Sequence, residues 1–132
     1  MRTYAFVQAA QTLGGAAGRT YPLNNEAAAM VGSTRVVLVT TATVGSRALV
    51  VRILDASNNV LFENLSTATV AASSTSRQNW GAGMVAGTAG IYVLNGMPDM
   101  SVPPLSQVNI FDNANVDAND TIATTVTLAD PR

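Results

Sequence analysis

The loop from Asp112 to Asp120 holds three aspartates and three asparagines within nine residues. Oxygen ligands at alternate positions, Asn113, Asn115 and Asp117, match the first half of a calcium-binding loop. The central glycine of such loops is missing, and Thr124 stands where they place a bidentate glutamate. Because Asn and Asp side chains also bond to their own backbone two residues on, the stretch equally suits a self-capped turn. We predict such a turn without a metal, with Asn113, Asn115 and Asp117 as the ligands if calcium binds.

Trp80 is the single tryptophan of the chain. An exposed indole could stack on a sugar ring, but sugar-binding sandwiches of that kind offer several exposed aromatic side chains. With only three Tyr and three Phe beside it, Trp80 is expected in the core or as the anchor of an interface.

Three arginines in the middle of the chain raise the question of a nucleic-acid patch: Arg47, Arg52 and Arg77. They stand without lysines in a chain of net charge −1, so ion pairs within or between subunits are the better interpretation. Asp55, Glu63 and Asp99 are the expected partners.

The side chains on which most enzymes depend are missing from these 132 residues, which include no His, no Cys and, since all seven basic residues are Arg, no Lys. The chain therefore offers no base near neutral pH, no thiolate or zinc ligand, and no Schiff-base amine. The glycine-rich segment 14–20 lacks the lysine of a phosphate-binding loop and is expected to be flexible. We predict a non-enzymatic protein with no cofactor and no small-molecule substrate.

Charged residues make up 11% of the chain, against about a quarter in ordinary soluble domains. The balance of charges supplies no field to attract nucleic acid or a membrane surface. An uncharged stretch over 78–98 is long enough to cross a bilayer, but its five glycines argue against a spanning helix. A surface this poor in charge is expected to be covered by neighbouring subunits.

Short apolar runs separated by Gly, Asn, Asp or Pro predict an all-β fold. The clearest hairpin joins Ala48–Leu54 to Val60–Leu65 through the loop 55–59. Both faces of its first strand are apolar except at Arg52, so we expect a second sheet or a partner to cover each face. Further strands are predicted at Arg35–Thr41, Ser73–Trp80, Ile91–Leu94, Gln107–Phe111 and Thr121–Leu128, the last with Ile122, Val126 and Leu128 facing inward.

Two segments near the N-terminus stay open. Thr3–Leu13 fits a capped helix or a strand followed by an extended arm, and Asn25–Met30 fits a single helical turn. We therefore predict an N-terminal arm or edge segment over 1–28 and one two-sheet sandwich or jelly roll over 29–132.

A longer pattern of strands and turns runs through 35–47, 49–62, 68–80, the Pro103-Pro104 loop and 115–122. This order resembles the small structural proteins encoded in the virion gene blocks of tailed bacteriophages, although residues 1–28 depart from it. The resemblance implies a jelly roll or sandwich that decorates or cements a capsid and carries no catalytic residues. It also implies that the major capsid protein and copies of the chain itself are the partners, in a trimer or another symmetric oligomer. Such a protein is made in the host cytoplasm and ends on the capsid surface of the virion.

Two alternatives accompany this hypothesis: a tail, baseplate or shell-forming coat subunit, and a carbohydrate-binding module that uses Trp80 and the loop 112–120. Under the first hypothesis, the N-terminal arm and the 81–90 loop reach neighbouring subunits. The candidate interface residues are Trp80, Gly81, Gly83, Met84, Arg47, Arg52, Tyr4 and Phe6.

Overall fold

A computed structural model of the chain describes residues 2–84, 86–89 and 92–130, and this part consists of strands, turns and loops. No helix in the described part is long and apolar enough to cross a membrane. The eleven strands are β1 (Arg2–Thr12), β2 (Arg19–Pro22), β3 (Ala29–Val39), β4 (Leu49–Leu54), β5 (Val60–Leu65), β6 (Thr75–Gly81), β7 (Gly87–Ala89), β8 (Tyr92–Gly96), β9 (Met100–Val102), β10 (Gln107–Asp112) and β11 (Thr121–Asp130).

The strands form two sheets that pack face to face. The larger sheet has the order β1-β11-β3-β6-β8-β7, with β9 also paired to β3, and the smaller sheet has the order β2-β10-β4-β5. Neighbours are antiparallel except β6 and β8, which run parallel. The predicted all-β, two-sheet sandwich is confirmed.

The core lies between the sheets and follows the two-residue period of the strands. In β11 every second residue is buried, and Ile122, Val126 and Leu128 are inaccessible to solvent, as predicted. Leu49 and Ile53 of β4 face them from the smaller sheet and are equally buried.

The predicted hairpin is present as β4 and β5, joined by the loop 55–59. Asp55 organises this loop by accepting hydrogen bonds from the backbone N–H groups of Ser57 and Asn59 at 2.9 and 2.8 Å. The outer face of β4 is covered as well, because Val50 is buried and Arg52 lies over the ring of Phe111 at 4.4 Å. The contact of Arg52 with Phe111 is made within the smaller sheet, and the Arg52 side chain remains 36% exposed.

The N-terminal segment differs from two of its predictions. Residues 3–12 belong to strand β1, which pairs with β11 at the edge of the larger sheet, so of the two alternatives the strand is confirmed and the helix is wrong. The helical turn over 25–30 is also wrong, since residues 24–28 form a loop and β3 begins at Ala29. Residues 2–28 are thus an edge segment of the sandwich, with β1 in one sheet and β2 in the other.

The segment 13–18 leads into β2 and approaches β10 closely at its end. Gly18 has φ +67°, and a Cβ there would lie 2.0 Å from the carbonyl oxygen of Ile110. Only glycine fits this backbone position without displacing β10. The segment that looked flexible in the sequence is therefore packed at Gly18.

The observed boundaries of two strands differ from the predicted ones, and in both strands a glycine lies inside the strand. We expected β3 to begin at Arg35, after the Gly32-Ser33 pair, but it begins six residues earlier. Ser33 pairs with Thr127 while Val31 pairs with Leu128, so Gly32 is the extra residue of a bulge and does not end the strand. Likewise the Asn95-Gly96 pair belongs to β8, and Ile91 of the predicted strand lies outside the described residues.

Candidate functional site

A buried ion pair joins two loops at one end of the sandwich. Arg47, in the loop 40–48 between β3 and β4, donates from Nε to Oδ2 of Asp120 at 2.7 Å and from Nη2 to Oδ1 at 3.2 Å. Both side chains are inaccessible to solvent. The loops meet because β3 pairs with β11 and β4 pairs with β10, which brings residues 47 and 120 to the same end of both sheets.

One further donor and one further acceptor satisfy the buried charges. The backbone N–H of Thr41 donates to Asp120 Oδ1 at 2.8 Å, and Nη1 of Arg47 donates to the carbonyl of Gly45 at 2.8 Å. The bond to Asp120 raises the pKa of the Arg47 guanidinium above its ordinary value. A buried pair is tolerated when its remaining hydrogen-bonding capacity is used in this way.

Asp117 links the same two loops from the solvent side. Its Oδ2 accepts hydrogen bonds from the hydroxyls of Thr41 and Thr43, the latter at 2.7 Å, and its Oδ1 accepts from the N–H of Asn119 at 2.9 Å. These bonds, led by that from Thr41, lower the pKa of the Asp117 carboxyl from 3.8 to about 2. The carboxylate is thus committed to holding the loops together.

The third aspartate, Asp112, caps its own loop. Oδ1 accepts from the N–H groups of Ala48 and Ala114 at 2.8 and 3.0 Å, and Oδ2 accepts from Val116 at 2.9 Å. The self-capped turn predicted from the sequence is therefore present.

The three calcium candidates differ in exposure and in hydrogen bonding. Asn113 and Asn115 are exposed, and both carboxylate oxygens of Asp117 already accept hydrogen bonds. In the described ranges, no group of three or more His, Cys, Asp or Glu residues could hold a metal ion.

Two predicted interface residues lie in the interior instead. Arg47 and Trp80 are 0% exposed, so neither contributes to a surface contact; of the two alternatives for Trp80 the core position is confirmed, and Arg47 forms an ion pair within the chain. Trp80 lies on β6 between Thr34 of β3 and Asn95 of β8, and its indole faces the core. Stacking of Trp80 on a sugar, which the carbohydrate alternative requires, is excluded by the same burial.

The residues of the turn after Trp80 differ in their burial. Gly81 is buried, and a Cβ there would lie 2.8 Å from Cε of Met84. Gly83 is exposed with φ +74°, and Met84 is half-buried. Val85 and Gly90 of the predicted 81–90 contact loop lie outside the described residues.

The remaining candidates lie at the surface. Arg52 donates from Nε to Glu63 Oε2 at 3.0 Å, which is one of the predicted ion pairs within the chain. Tyr4 and Phe6 are half-buried on β1, where the ring of Phe6 contacts that of Tyr21 at 5.8 Å between centroids. Both rings pack against the core and remain partly exposed at the edge of the larger sheet.

Sequence reasoning missed the large apolar side chains that the fold leaves in solvent. Four of them lie on two edge strands, one on β1 and three on β5. Alternation places Leu61 and Leu65 on one face of β5, whereas the exposure of the adjacent Val60 comes with an irregularity in the pairing of β5 with β4. In the described part of the chain these exposed residues are Val7, Val39, Val44, Val60, Leu61, Leu65, Tyr92 and Leu105.

A polar groove of about 270 Å³ lies beside the start of β1. Arg2 lies over the ring of Tyr4 at 5.5 Å and within 3.8 Å of Asp130, so charges of both signs already face one another there. The lining consists of Arg2, Tyr4, Asn24, Glu26, Ala27 and Asp130. The exposed apolar strands, rather than this groove, form the candidate interaction site.

No protein-family model and no curated protein matches this chain. Two solved structures that it matches come from infectious bursal disease virus, one described as the structure of the Gx strain and one as a mutant VP2 protein in derived T=1 particles. Identities are 11% and 12%, and TM-scores are 0.33 and 0.31. The matches cover 96% and 98% of this chain, which spans 41% of each of those chains. Similarity at this level assigns no family.

Proposed function

We propose that this chain is a structural virion protein, a decoration or cement protein that binds the outer shell and ties neighbouring capsomers together. The observation that carries the proposal is the combination of 11% charged residues with large apolar side chains exposed on edge strands. A monomer that remains alone in solution keeps such surface small, whereas a subunit within an assembly covers it.

Adhesion is the proposed mechanism. The chain would bind through the shape of its surface. Contact surfaces that are already rigid favour such binding, because loops that become ordered only on binding reduce the affinity. The ion pair of Arg47 with Asp120, together with Asp117, holds the loops at one end of the sandwich in one conformation. The major capsid protein and further copies of the chain are the proposed partners, on the capsid surface of the virion after synthesis in the host cytoplasm.

Strand β5 is the proposed contact with the shell. It places Val60, Leu61 and Leu65 in solvent at 52%, 41% and 48% exposure along one edge of the smaller sheet. Apolar side chains of this size are typical of the centre of an interface.

Co-sedimentation of the purified chain with intact heads of the phage that encodes it tests the proposal. The wild-type chain should pellet with the heads, the Leu61→Lys, Leu65→Lys double variant should stay in the supernatant, and Ala56→Lys, in the exposed loop beside β5, should pellet like the wild type. Failure of the wild-type chain to bind heads overturns the decoration role.

The same assembly class contains the second candidate, a tail, baseplate or shell-forming subunit. Immunogold labelling of intact particles separates the candidates by location, since label on tails alone favours this second role. The carbohydrate-binding alternative has lost its stacking residue, because Trp80 is buried.

A further inference from the structure

The edge strands of this fold are protected to different degrees from pairing with strands of other molecules. Natural sheets shield an edge by making it short, by placing charge or proline on it, or by covering it. Strands β7 and β9 have three residues each, β2 has four and ends in Pro22, and β5 has six and carries Glu63. Each of these follows a known rule for avoiding unwanted strand pairing.

Strand β1 is interrupted by an irregularity in its pairing with β11 between Gln8 and Gln11, which is one device that protects an edge, but from Arg2 to Gln8 its pairing is regular and it lacks the other devices except the charge of Arg2. It has eleven residues, pairs with β11 on one side, and has no charged side chain from Thr3 to Thr12. Val7 is 67% exposed on its outer face, while Tyr4 and Phe6 on its inner face are only half-buried. In an antiparallel strand every second residue directs both its N–H and its C=O away from the existing partner. The free edge of β1 therefore presents an uncharged backbone template flanked by incompletely covered apolar side chains.

We infer that β1 is a self-association site, at which two copies pair their β1 strands antiparallel about a two-fold axis near Ala5 and Phe6. The two larger sheets then form one continuous sheet across the dimer. An isologous contact of this kind needs a surface that is complementary to itself, and an uncharged strand meets that requirement. The inference does not depend on the virion role.

The charges near β1 favour this position of the axis. An axis at Ala5 or Phe6 places Arg2, the only charge on the strand, opposite Gln8 or Ala10 of the other copy. The other end of β1 is already occupied, because Arg19 donates from Nε to the carbonyl of Thr12 at 2.7 Å. An axis nearer to Thr12 would bring Arg2 of one copy against Arg19 of the other. The proposed axis therefore avoids like-charge contacts.

Sedimentation equilibrium of the full chain, with a charge exchange at Ala5, tests the inference. Ala5 is exposed on the outer face, so a charged side chain there is compatible with the folded monomer. Ala5→Lys and Ala5→Glu each place like charges across the axis and should weaken dimerisation by about tenfold or more. An equimolar mixture of the two variants should restore the dimer. Val44→Lys and Val44→Glu, at a loop residue that is 91% exposed, are the matched controls and should dimerise like the wild type.

Cysteine cross-linking provides the second measurement, and the chain has no cysteine to interfere. Opposed residues of an antiparallel pair have Cα atoms about 4.5–5.5 Å apart, within the range for a disulfide. Under mild oxidation Ala5→Cys alone, or mixed with Val7→Cys, should give a covalent dimer, whereas Val44→Cys should not.

Three outcomes overturn the inference: a wild-type chain that stays monomeric at high concentration, a dimer insensitive to both charges at Ala5, and cross-linking no greater than that of Val44→Cys. If the wild-type chain is monomeric yet Ala5→Lys abolishes binding to phage heads, the occupant of the β1 edge is a shell segment and not a second copy. That result would overturn the self-association site while leaving the decoration role standing.

Discussion

Arg47 and Asp120 form a two-pronged ion pair between side chains that are wholly buried and 73 positions apart in the chain. Their contact joins the loop after β3 to the loop before β11. It also explains why a chain with so few charges buries this arginine completely: the pair fixes the relative position of two loops that have little apolar surface of their own.

Removing one partner of this pair should be strongly destabilising. Arg47→Met leaves Asp120 buried without its cation, so the free energy of unfolding should fall by about 3–5 kcal/mol. The double variant Arg47→Met, Asp120→Leu should lose less than the sum of the single variants. Urea denaturation measures each value, and Arg52→Met, which breaks the partly exposed pair with Glu63, should cost less than about 1 kcal/mol. Equal losses for Arg47→Met and Arg52→Met would contradict the structural role of the buried pair.

Acid should weaken the loop contacts of Asp117. Because folding lowers the pKa of this carboxyl from 3.8 to about 2, its contribution to stability is complete above pH 3.8 and is lost as the pH falls towards 2. Denaturation midpoints measured from pH 6 to pH 2 should show this loss. Asp117→Asn should flatten the decline, and Thr43→Val should reduce it by removing one donor. The prediction fails if Asp117→Asn shows the same acid dependence as the wild type.

Calcium should leave the protein unchanged. The oxygens of Asp112 and Asp117 accept hydrogen bonds from the protein, and a cation would have to displace these donors. Thermal unfolding in millimolar calcium should therefore match that in EDTA. A clear rise in Tm with calcium would restore Asn113, Asn115 and Asp117 as ligands.

The fluorescence of Trp80 should be that of an indole in an apolar environment. As the single tryptophan with no solvent exposure, it should emit at short wavelength and resist quenching by iodide until the protein unfolds. Trp80→Ala should cost about 3–5 kcal/mol through the cavity it leaves. Ready quenching by iodide in the native protein would show that Trp80 is exposed, and an interface role for Trp80 would then be possible again.

Gly18 should tolerate no side chain. Gly18→Ala combines a positive φ with a Cβ 2.0 Å from the Ile110 carbonyl oxygen, so it should destabilise the fold by about 2 kcal/mol or more. Gly87→Ala is the matched control, since nothing lies within 4 Å of a Cβ there and its φ is not in the left-handed region. Chemical denaturation of both variants decides the point, and equal stability would contradict the close approach of residue 18 to β10.

The sequence alone determined the features that depend on neighbouring residues. Alternation along the chain marked the strands, and Asn and Asp marked the hairpin loop and the self-capped turn before β11. The inward set Ile122, Val126 and Leu128 followed from the same period of two. These predictions held because strand faces and turns are set within a few residues of the chain.

Tertiary structure decided which distant residues meet. Nothing near Arg47 in the chain identifies Asp120 as its partner, and a pair with a closer acid was the natural expectation. The parallel pairing of β6 with β8, the burial of Trp80 and the edge position of β1 likewise depend on the order of strands in the sheets. Strand order is a balance of contacts summed over the whole chain, so residue types and local spacing cannot specify it, and these long-range pairings decide which side chains are buried and which strand edge remains open.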